Sequence, residues 1–236
     1  MTGDPPADSA GAPWQGRTLS PPPFAGDDGA ADPALERVLS GYAAGTADLA
    51  DVVRALTGRR LVVPVVARPG ETSAEMATVT VRGRDGRVGL PLFTGVRTLA
   101  AWDAAARPVP VAARRAALSA VEEGADVVVL DVAGPVTVVL PRPAVWALAQ
   151  GRPWVPSPAD PGVAEAVRRA LAGLPEVTTV RCEPGGRAEL RVVLAVRSGL
   201  DRAGLDALTG RVSQRLAAEP VVAERVDSVE LSLQPA

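Results

Sequence analysis

The stretch RDGRVGLPLFT, residues 84–94, holds a tight turn followed by a strand, and the prediction of the fold starts from it. Asp85-Gly86 is a dipeptide that tolerates the positive φ of a hairpin turn. Residues 76–82 and 87–93 alternate between apolar and polar side chains on the two sides of that turn. Val88, Leu90 and Leu92 share one face of the second strand. The segment therefore predicts an antiparallel hairpin with one buried face.

The other predicted elements are short helices and strands in separate groups. Asp32-Pro33 has the residue types that begin a helix, an N-cap followed by proline in the first turn. Residues 61–67 form an apolar strand in which Pro64 lacks a donor, which predicts an edge strand or a bulge. The first half follows the order α-α-β-β-β-α-α-β-β-α and the second α-β-β-α-β. This grouping predicts the α+β class, with mixed or antiparallel sheets and segregated helices, rather than a doubly wound sheet.

Composition divides the chain into four parts. Residues 1–31 are rich in Pro, Gly, Ala and Asp without apolar periodicity, which predicts a disordered tail. Residues 32–151 are predicted to form a first α+β domain. Residues 152–159 include Pro153, Pro156 and Pro158 and are predicted to be a linker. Residues 160–236 are predicted to form a second, α-β-β-α-β domain.

The overall composition disfavours several classes of function. The chain contains no histidine and no lysine, so general-base and Schiff-base chemistry lose their usual side chains. The formal net charge of −2 predicts neither nucleic acid nor a membrane surface as a partner. A lone cysteine, Cys182, and the absence of a signal-like N-terminal segment predict a cytoplasmic protein.

Sequence motifs for cofactors and metals are missing. The phosphate-binding loop needs a lysine, and no G-x-S-x-G, C-x-x-C or H-E-x-x-H occurs. We therefore predict no cofactor and no metal site. Arg82, Arg84 and Arg87 surround the hairpin tip, where two interpretations remain open. Their guanidinium groups either contact an anion or are solvated strand ends.

The most distinctive tract runs from Val88 to Trp154. It contains Leu90-Pro91-Leu92-Phe93-Thr94, Ala101-Trp102-Asp103, Arg107-Pro108-Val109-Pro110-Val111, Glu123-Gly124-Ala125-Asp126, Leu140-Pro141-Arg142-Pro143-Ala144-Val145-Trp146-Ala147-Leu148 and Gly151-Arg152-Pro153-Trp154. Together with its order of elements, this tract resembles the SseB (enhanced serine sensitivity) N-terminal domain family in its actinobacterial form, over roughly residues 34–155. Residues 160–236 resemble the C-terminal domain of such proteins. The resemblance implies a small α+β domain with no established enzymatic activity.

Aromatic and charged side chains of this tract are the candidate binding site for a ligand or partner. The candidates are Trp102, Asp103, Arg142, Trp146, Arg152 and Trp154. In one interpretation the indoles form an apolar wall, the arginines hold an anionic group and Asp103 accepts a hydrogen bond. In the other, the indoles fill the junction between sheet and helices, and the arginines pair with Asp103 or cap carbonyls.

Three further side chains have a structural and a functional interpretation. Asp126 and Asp131 bracket a strand, where they either cap turns, or bind a cation or serve as acid and base. Five residues apart on an extended strand, they point to opposite faces, which favours capping. Cys182 lies on a predicted strand beside Arg181, where it either packs or has its pKa lowered by that guanidinium.

Three hypotheses for the function follow. The first is a non-enzymatic cytoplasmic protein that acts as an interaction or regulatory module for an unknown protein partner, with self-association as a further expectation. The second is a domain that binds an anionic metabolite through the tryptophans and arginines. The third is a carboxylate-dependent hydrolase, which requires two acids close together in a desolvated cavity.

Overall fold

The computed structural model describes residues 24–66 and 77–236. The predicted tail lies outside the described residues over 1–23. Residues 24–31, which the sequence analysis placed in that tail, contact the folded part of the chain. Asp27 accepts hydrogen bonds from Nε and Nη2 of Arg60 at 2.5 and 2.7 Å, and the Ala30 carbonyl accepts another from Arg60 at 2.7 Å. The folded part therefore starts before Asp32.

The described residues form an α+β fold in which helices pack on small sheets. The helices are α1 (Pro33–Ala43), α2 (Leu49–Leu56), α3 (Val96–Trp102), α4 (Ala113–Glu122), α5 (Arg142–Gln150), α6 (Pro161–Leu171), α7 (Arg202–Ala218) and α8 (Pro220–Arg225), with a 3-10 turn at Ser157–Ala159. The strands are β1 (Arg60–Val66), β2 (Ala77–Thr78), β3 (Val81–Arg82), β4 (Val88–Leu92), β5 (Arg107–Ala112), β6 (Val127–Leu130), β7 (Val138–Pro141), β8 (Val177–Pro184), β9 (Leu190–Val196) and β10 (Val229–Pro235).

Two sheets form the first lobe, which comprises residues 24–66 and 77–151. One is the four-stranded sheet β3-β4-β6-β7, in which β4 runs parallel to β6 and the other pairs are antiparallel. The other is the antiparallel sheet β2-β1-β5. Val62 and Phe93 exchange backbone hydrogen bonds of 2.8 and 2.9 Å between the two sheets. Helices α1, α2, α4 and α5 contribute to the apolar core that covers them.

The strand β1 lies at the centre of its sheet, so the predicted edge position of Pro64 is wrong. Pro64 pairs with Pro108, and Val62 pairs with Pro110. Val62 directs its N–H and C=O towards Phe93, away from β5. Every second residue of a strand directs these groups to the same side, so Val62 and Pro64 form no backbone hydrogen bonds with β5. The prolines therefore occupy positions where the missing N–H breaks no bond between β1 and β5.

The second lobe, residues 160–236, is one three-stranded sheet covered by helices. Its strand order is β10-β9-β8, with β9 parallel to β10 and antiparallel to β8. Val163, Val167, Leu208 and Val212 are fully buried on α6 and α7, where their helical spacing predicts one apolar face. This core is separate from that of the first lobe.

Residues between the lobes pack on both of them. Trp154 packs against the core of the first lobe. Ser157 is buried, and its N–H donates to Oε1 of Glu189 in the second lobe at 3.0 Å. The predicted linker is thus in contact with both lobes through these residues.

Candidate functional site

Helix α5 positions two of the candidate side chains. Pro141 is its N-cap and Pro143 lies in its first turn, which matches the preference for proline where the N–H has no intrahelical partner. Val145 and Leu148 pack into the core of the first lobe. Arg142 and Trp146, four residues apart, lie together on another face, where the guanidinium is exposed and the indole half-buried.

The face with Trp146 borders a cavity of about 630 Å³ between the two lobes. Its far wall is built by α8 and the residues that follow it. The lining residues are Arg87, Asp126, Arg142, Pro143, Trp146, Gln150, Ala223, Glu224, Val226 and Asp227. The cavity thus draws on the hairpin tip, on α5 and on the second lobe, which are distant from one another in sequence.

A second cavity of about 410 Å³ adjoins the first. Pro143, Trp146 and Glu224 line both cavities. The other residues around the second one are Ala147, Arg152, Pro153, Trp154, Val155, Asp160 and Arg225. We call the two cavities together the interlobe groove, and the Trp146 indole belongs to both halves of it.

Charges in the interlobe groove are balanced. The cations are Arg87, Arg142, Arg152 and Arg225, and the anions are Asp126, Asp160, Glu224 and Asp227. Nη2 of Arg152 lies 3.6 Å from Oε1 of Glu224, and Nη1 of Arg225 lies 3.3 Å from Oδ2 of Asp160. With equal numbers of the two signs, the groove offers no net attraction for a free anion.

Arg87 joins the hairpin turn to the second lobe. Its Nε donates to Asp85 at 2.6 Å, and its Nη1 lies 3.5 Å from Oδ2 of Asp227. The hydrogen bond from Arg87 is the main reason why the pKa of Asp85 is lowered, and the same bond raises the pKa of Arg87. Arg87 therefore does contact anionic groups, but these are carboxylates of the chain itself.

Two polar groups of the interlobe groove lack a partner among the described residues. Arg142 forms no ion pair and no hydrogen bond with any residue from 24–66 or 77–236. Nε1 of Trp154 is buried and has no hydrogen-bond partner within the same ranges. Of the two, the Arg142 guanidinium is exposed and therefore available to a bound molecule, whereas the Trp154 N–H is enclosed by the protein.

The remaining two candidates, Trp102 and Asp103, lie elsewhere. The Trp102 ring packs on Phe93 with 5.4 Å between ring centroids and a tilt of 36°. Asp103 follows α3 and accepts a hydrogen bond from the N–H of Ala105 at 2.8 Å. The structure therefore brings together Arg142, Trp146, Arg152 and Trp154. It keeps Trp102, which packs in a small separate cluster, and Asp103 away from them.

Asp126 and Asp131 hold neighbouring strands together. Oδ2 of Asp126 accepts the N–H of Val88 at 2.8 Å. Asp131 is buried with φ 51°, and its two carboxylate oxygens accept the N–H and the hydroxyl of Thr94, each at 2.8 Å. Both carboxylates thus connect the chain around β4 to the two ends of β6. Their role is structural, but the hydrogen bonds join neighbouring strands and do not cap turns as the sequence analysis favoured.

Cys182 packs beside the core of the second lobe. Burial raises the pKa of its thiol, and the opposing charge of Arg168 has the smaller effect. A raised pKa lowers the fraction of reactive thiolate at neutral pH. The packing interpretation therefore holds for this residue.

Sequence reasoning missed the groove residues of the second lobe. Glu224, Val226 and Asp227 are contributed by α8 and its C-terminal end, and α8 was not predicted as a helix. Pro220 at its first turn and Arg225 in its last were the local signals for it. Nothing local indicates that this short helix faces α5.

Comparison with known proteins identifies one part of the chain. Residues 35–147 match the family model of the SseB protein N-terminal domain. The match supports the family named in the sequence analysis and includes Arg142 and Trp146. It ends before Arg152 and Trp154. No curated protein and no solved structure matches the chain. Among the described residues, no helix has the length and apolar character needed to cross a membrane.

Proposed function

We propose that this chain, whose first lobe matches the SseB N-terminal domain, is a cytoplasmic interaction module that binds a partner protein in the interlobe groove and catalyses no reaction. The observation that carries the proposal is the position of Trp146. Its half-buried indole lines both cavities of the groove, between walls supplied by the two lobes. The actinobacterial form of the family belongs to the same proposal.

The shape of the interlobe groove favours a peptide segment over a small metabolite. Two adjoining cavities of about 630 and 410 Å³ form an elongated site rather than one enclosed pocket. Trp146, Trp154, Pro143, Pro153 and Val155 supply apolar wall along it. Tryptophan and arginine are enriched among residues that dominate binding energy at protein interfaces, which fits these walls.

The charges of the groove favour a partner segment with little net charge. Arg152 is already close to Glu224, and Arg225 is close to Asp160. An anion would have to compete with these carboxylates, whereas an apolar or mixed segment would leave the pairs in place.

The proposal of a non-catalytic protein rests on the residue chemistry. The chain has no histidine. Among the described residues Asp131 is the buried carboxylate, and each of its oxygens accepts a hydrogen bond from Thr94. Among the described residues, no group of three or more Cys, Asp or Glu side chains is arranged to hold a metal ion. Without histidine, no side chain has an ordinary pKa close to neutral pH, which supports the proposal.

A pull-down from native lysate tests the proposal. The native chain is compared with a Trp146→Ala, Arg152→Ala double variant, and the matched control is Arg37→Ala, Leu118→Ala on exposed positions of α1 and α4. We expect one identified partner to be lost from the double variant only. An unchanged partner for all three proteins would remove the groove from consideration.

One observation favours a second candidate function, the binding of an anionic metabolite. Arg142 lines the larger cavity and has no anionic partner in the described part of the chain. Isothermal titration with inorganic phosphate and with a small dicarboxylate distinguishes this candidate. Binding of either ligand that disappears in Arg142→Gln would support this candidate. A titration of the native protein that shows no binding of either ligand would exclude it.

A further inference from the structure

We propose that the free edge of β10 pairs with β10 of a second copy of the chain, so that the two three-stranded sheets become one six-stranded sheet. This inference is independent of the interlobe groove, because it rests on the opposite strand of the second lobe. In the strand order β10-β9-β8, β10 is an edge strand, and no described strand pairs with its outer side. An open strand edge presents a row of N–H and C=O groups to any matching strand.

The two edges of this sheet differ in how well they resist pairing. The β8 edge has an irregularity between Val177 and Thr179, and it carries the charged residues Arg181 and Glu183. These are the devices by which proteins block strand addition. The sequence of β10 is VELSLQP, regular along its whole pairing with β9 and carrying one charge. Only the β10 edge is therefore suited to pairing.

Backbone directions along β10 define which residues face outward. The Ser228 carbonyl accepts from Leu190, and the Ala236 N–H donates to Val196, so even-numbered residues face β9. In a parallel ladder the N–H and C=O of one residue point to the same side. Val229, Leu231 and Leu233 consequently direct both groups to the free edge.

One antiparallel register satisfies all of these outward groups. With the two-fold axis at Leu231, Leu231 pairs with Leu231 of the second copy and Val229 pairs with its Leu233. In this register each outward residue lies opposite another outward residue, and the two exchange N–H···O=C hydrogen bonds. Such hydrogen-bonded pairs recur at every second position of an antiparallel ladder. An axis at Glu230 places the two Glu230 carboxylates opposite each other, which is unfavourable. An axis at Ser232 places Val229 opposite Pro235, which has no N–H.

Apolar side chains on the same strand support this register. Val229 and Leu233 are 37% and 36% exposed, unusually high values for strand residues on the core-facing side. A cavity of about 320 Å³ opens beside Val229 and Leu231, with Ser213, Leu216 and Ala217 of α7 along its wall. Opposite Val229, the second copy's Leu233 lies over this cavity. The pairing thus covers the exposed leucine and valine of each copy with those of the other.

The charge on β10 does not oppose the association. The carboxylate of Glu230 accepts from the N–H groups of Gly186 and Arg187 at 3.0 Å and from Nε of Arg191 at 2.6 Å. In the register centred on Leu231 it faces Ser232 of the second copy, a neutral residue. No like charges meet across the two-fold axis.

Sedimentation equilibrium of the full chain tests the proposal. We expect the native protein to show twice its monomer mass of 24.1 kDa and Leu233→Glu to sediment as a monomer with unchanged circular dichroism. The control is Val139→Glu, since Val139 is 42% exposed on β7, another edge strand, and this variant should remain dimeric. A native monomer at about 100 μM, or a dimer that survives Leu233→Glu, would overturn the proposal.

Cross-linking provides a second test that does not depend on the charged variant folding. Across the two-fold axis the Cα atoms of a hydrogen-bonded pair lie about 5.5 Å apart, within reach of a disulfide. In a Cys182→Ser background, Leu231→Cys should form a covalent dimer under mild oxidation, and Leu118→Cys, exposed on α4, should not. Equal cross-linking of both variants, or none of Leu231→Cys, would contradict the register.

Discussion

The Asp131 site and the interlobe groove differ in whether their polar groups have hydrogen-bond partners within the chain. At the Asp131 site, both carboxylate oxygens accept hydrogen bonds from Thr94, and the residue is buried at 2% exposure. In the groove, Arg142 and Nε1 of Trp154 have no partner in the described part of the chain. A polar group whose bonds are all made within the chain serves the fold. An exposed polar group that lies beside an apolar wall without a partner, as the Arg142 guanidinium does, is available for binding.

The largest expected effect is on stability, at Asp131. Asp131→Ala removes both acceptors of Thr94 and places alanine at φ 51°, so we expect a loss of about 3 kcal/mol in the free energy of unfolding. Urea denaturation measures it. Asp131→Asn keeps a residue that tolerates positive φ and one acceptor, so its loss should be clearly smaller. Equal losses for the two variants would show that hydrogen bonding, rather than backbone conformation, dominates.

The next effect is on binding, at Trp146. Trp146→Ala removes the wall shared by both cavities, and we expect a loss of about 2 kcal/mol in partner affinity, or about thirtyfold in Kd. Isothermal titration with the partner identified by pull-down measures it. Leu118→Ala, an exposed apolar residue on α4, should leave the affinity unchanged. If Trp146→Ala lowers the melting temperature but not the affinity, the indole belongs to the fold.

A smaller effect, with a pH dependence, is expected at Glu230. Hydrogen bonds from Gly186, Arg191 and Arg187 lower the pKa of Glu230 from 4.5 to about 2. Because the folded-state pKa lies below the unfolded one, its stabilisation is complete above pH 4.5 and is lost as the pH falls towards 2. The stability difference between native protein and Glu230→Gln should therefore shrink over that range. A difference independent of pH would show that the carboxylate charge contributes nothing.

The smallest expected effect is on the stability of an Arg142 variant. Arg142 is exposed and makes no ion pair with the described residues, so Arg142→Gln should change the free energy of unfolding by less than about 0.5 kcal/mol. Thermal unfolding measures it. A clear destabilisation would mean that Arg142 has a structural partner, and the contrast with Asp131 would then weaken.

Local signals in the sequence were enough to predict most elements of the fold. Asp32 caps α1 as expected, through hydrogen bonds from Ala34 and Leu35. The second helix has the same kind of signal, since Asp48 is its N-cap and accepts a hydrogen bond from the N–H of Asp51. Such signals act within a few residues of one another, so they are visible without knowledge of the tertiary structure.

Features that depend on strand pairing could not be predicted in this way. Pro108 and Pro110 argue against a strand, yet β5 forms because both lie where β1 needs no donor. Pro64 fits into a central strand for the same reason. The pairing register decides which alternate residues of a strand bond to a given neighbour, and the positions of the prolines in the sequence do not reveal that register.

The candidate site was predicted in part, for a related reason. Arg142, Trp146, Arg152 and Trp154 come from one stretch of chain, and the structure keeps them together. Trp102 belongs to the same tract, Val88 to Trp154, but it lies 40 positions before Arg142 and packs on Phe93 instead. The opposite wall of the groove comes from α8, and packing between lobes has no signature in local sequence.

Site-specific photo-cross-linking at Gln150 tests the central claim most directly. Gln150 is exposed and lines the larger cavity of the interlobe groove. A cross-linking residue placed there should couple the purified partner, and the same residue at Leu118 should not. Coupling that is lost in a Trp146→Ala background would locate the partner in the groove. Equal coupling from Gln150 and Leu118, or coupling from Leu118 alone, would contradict the account.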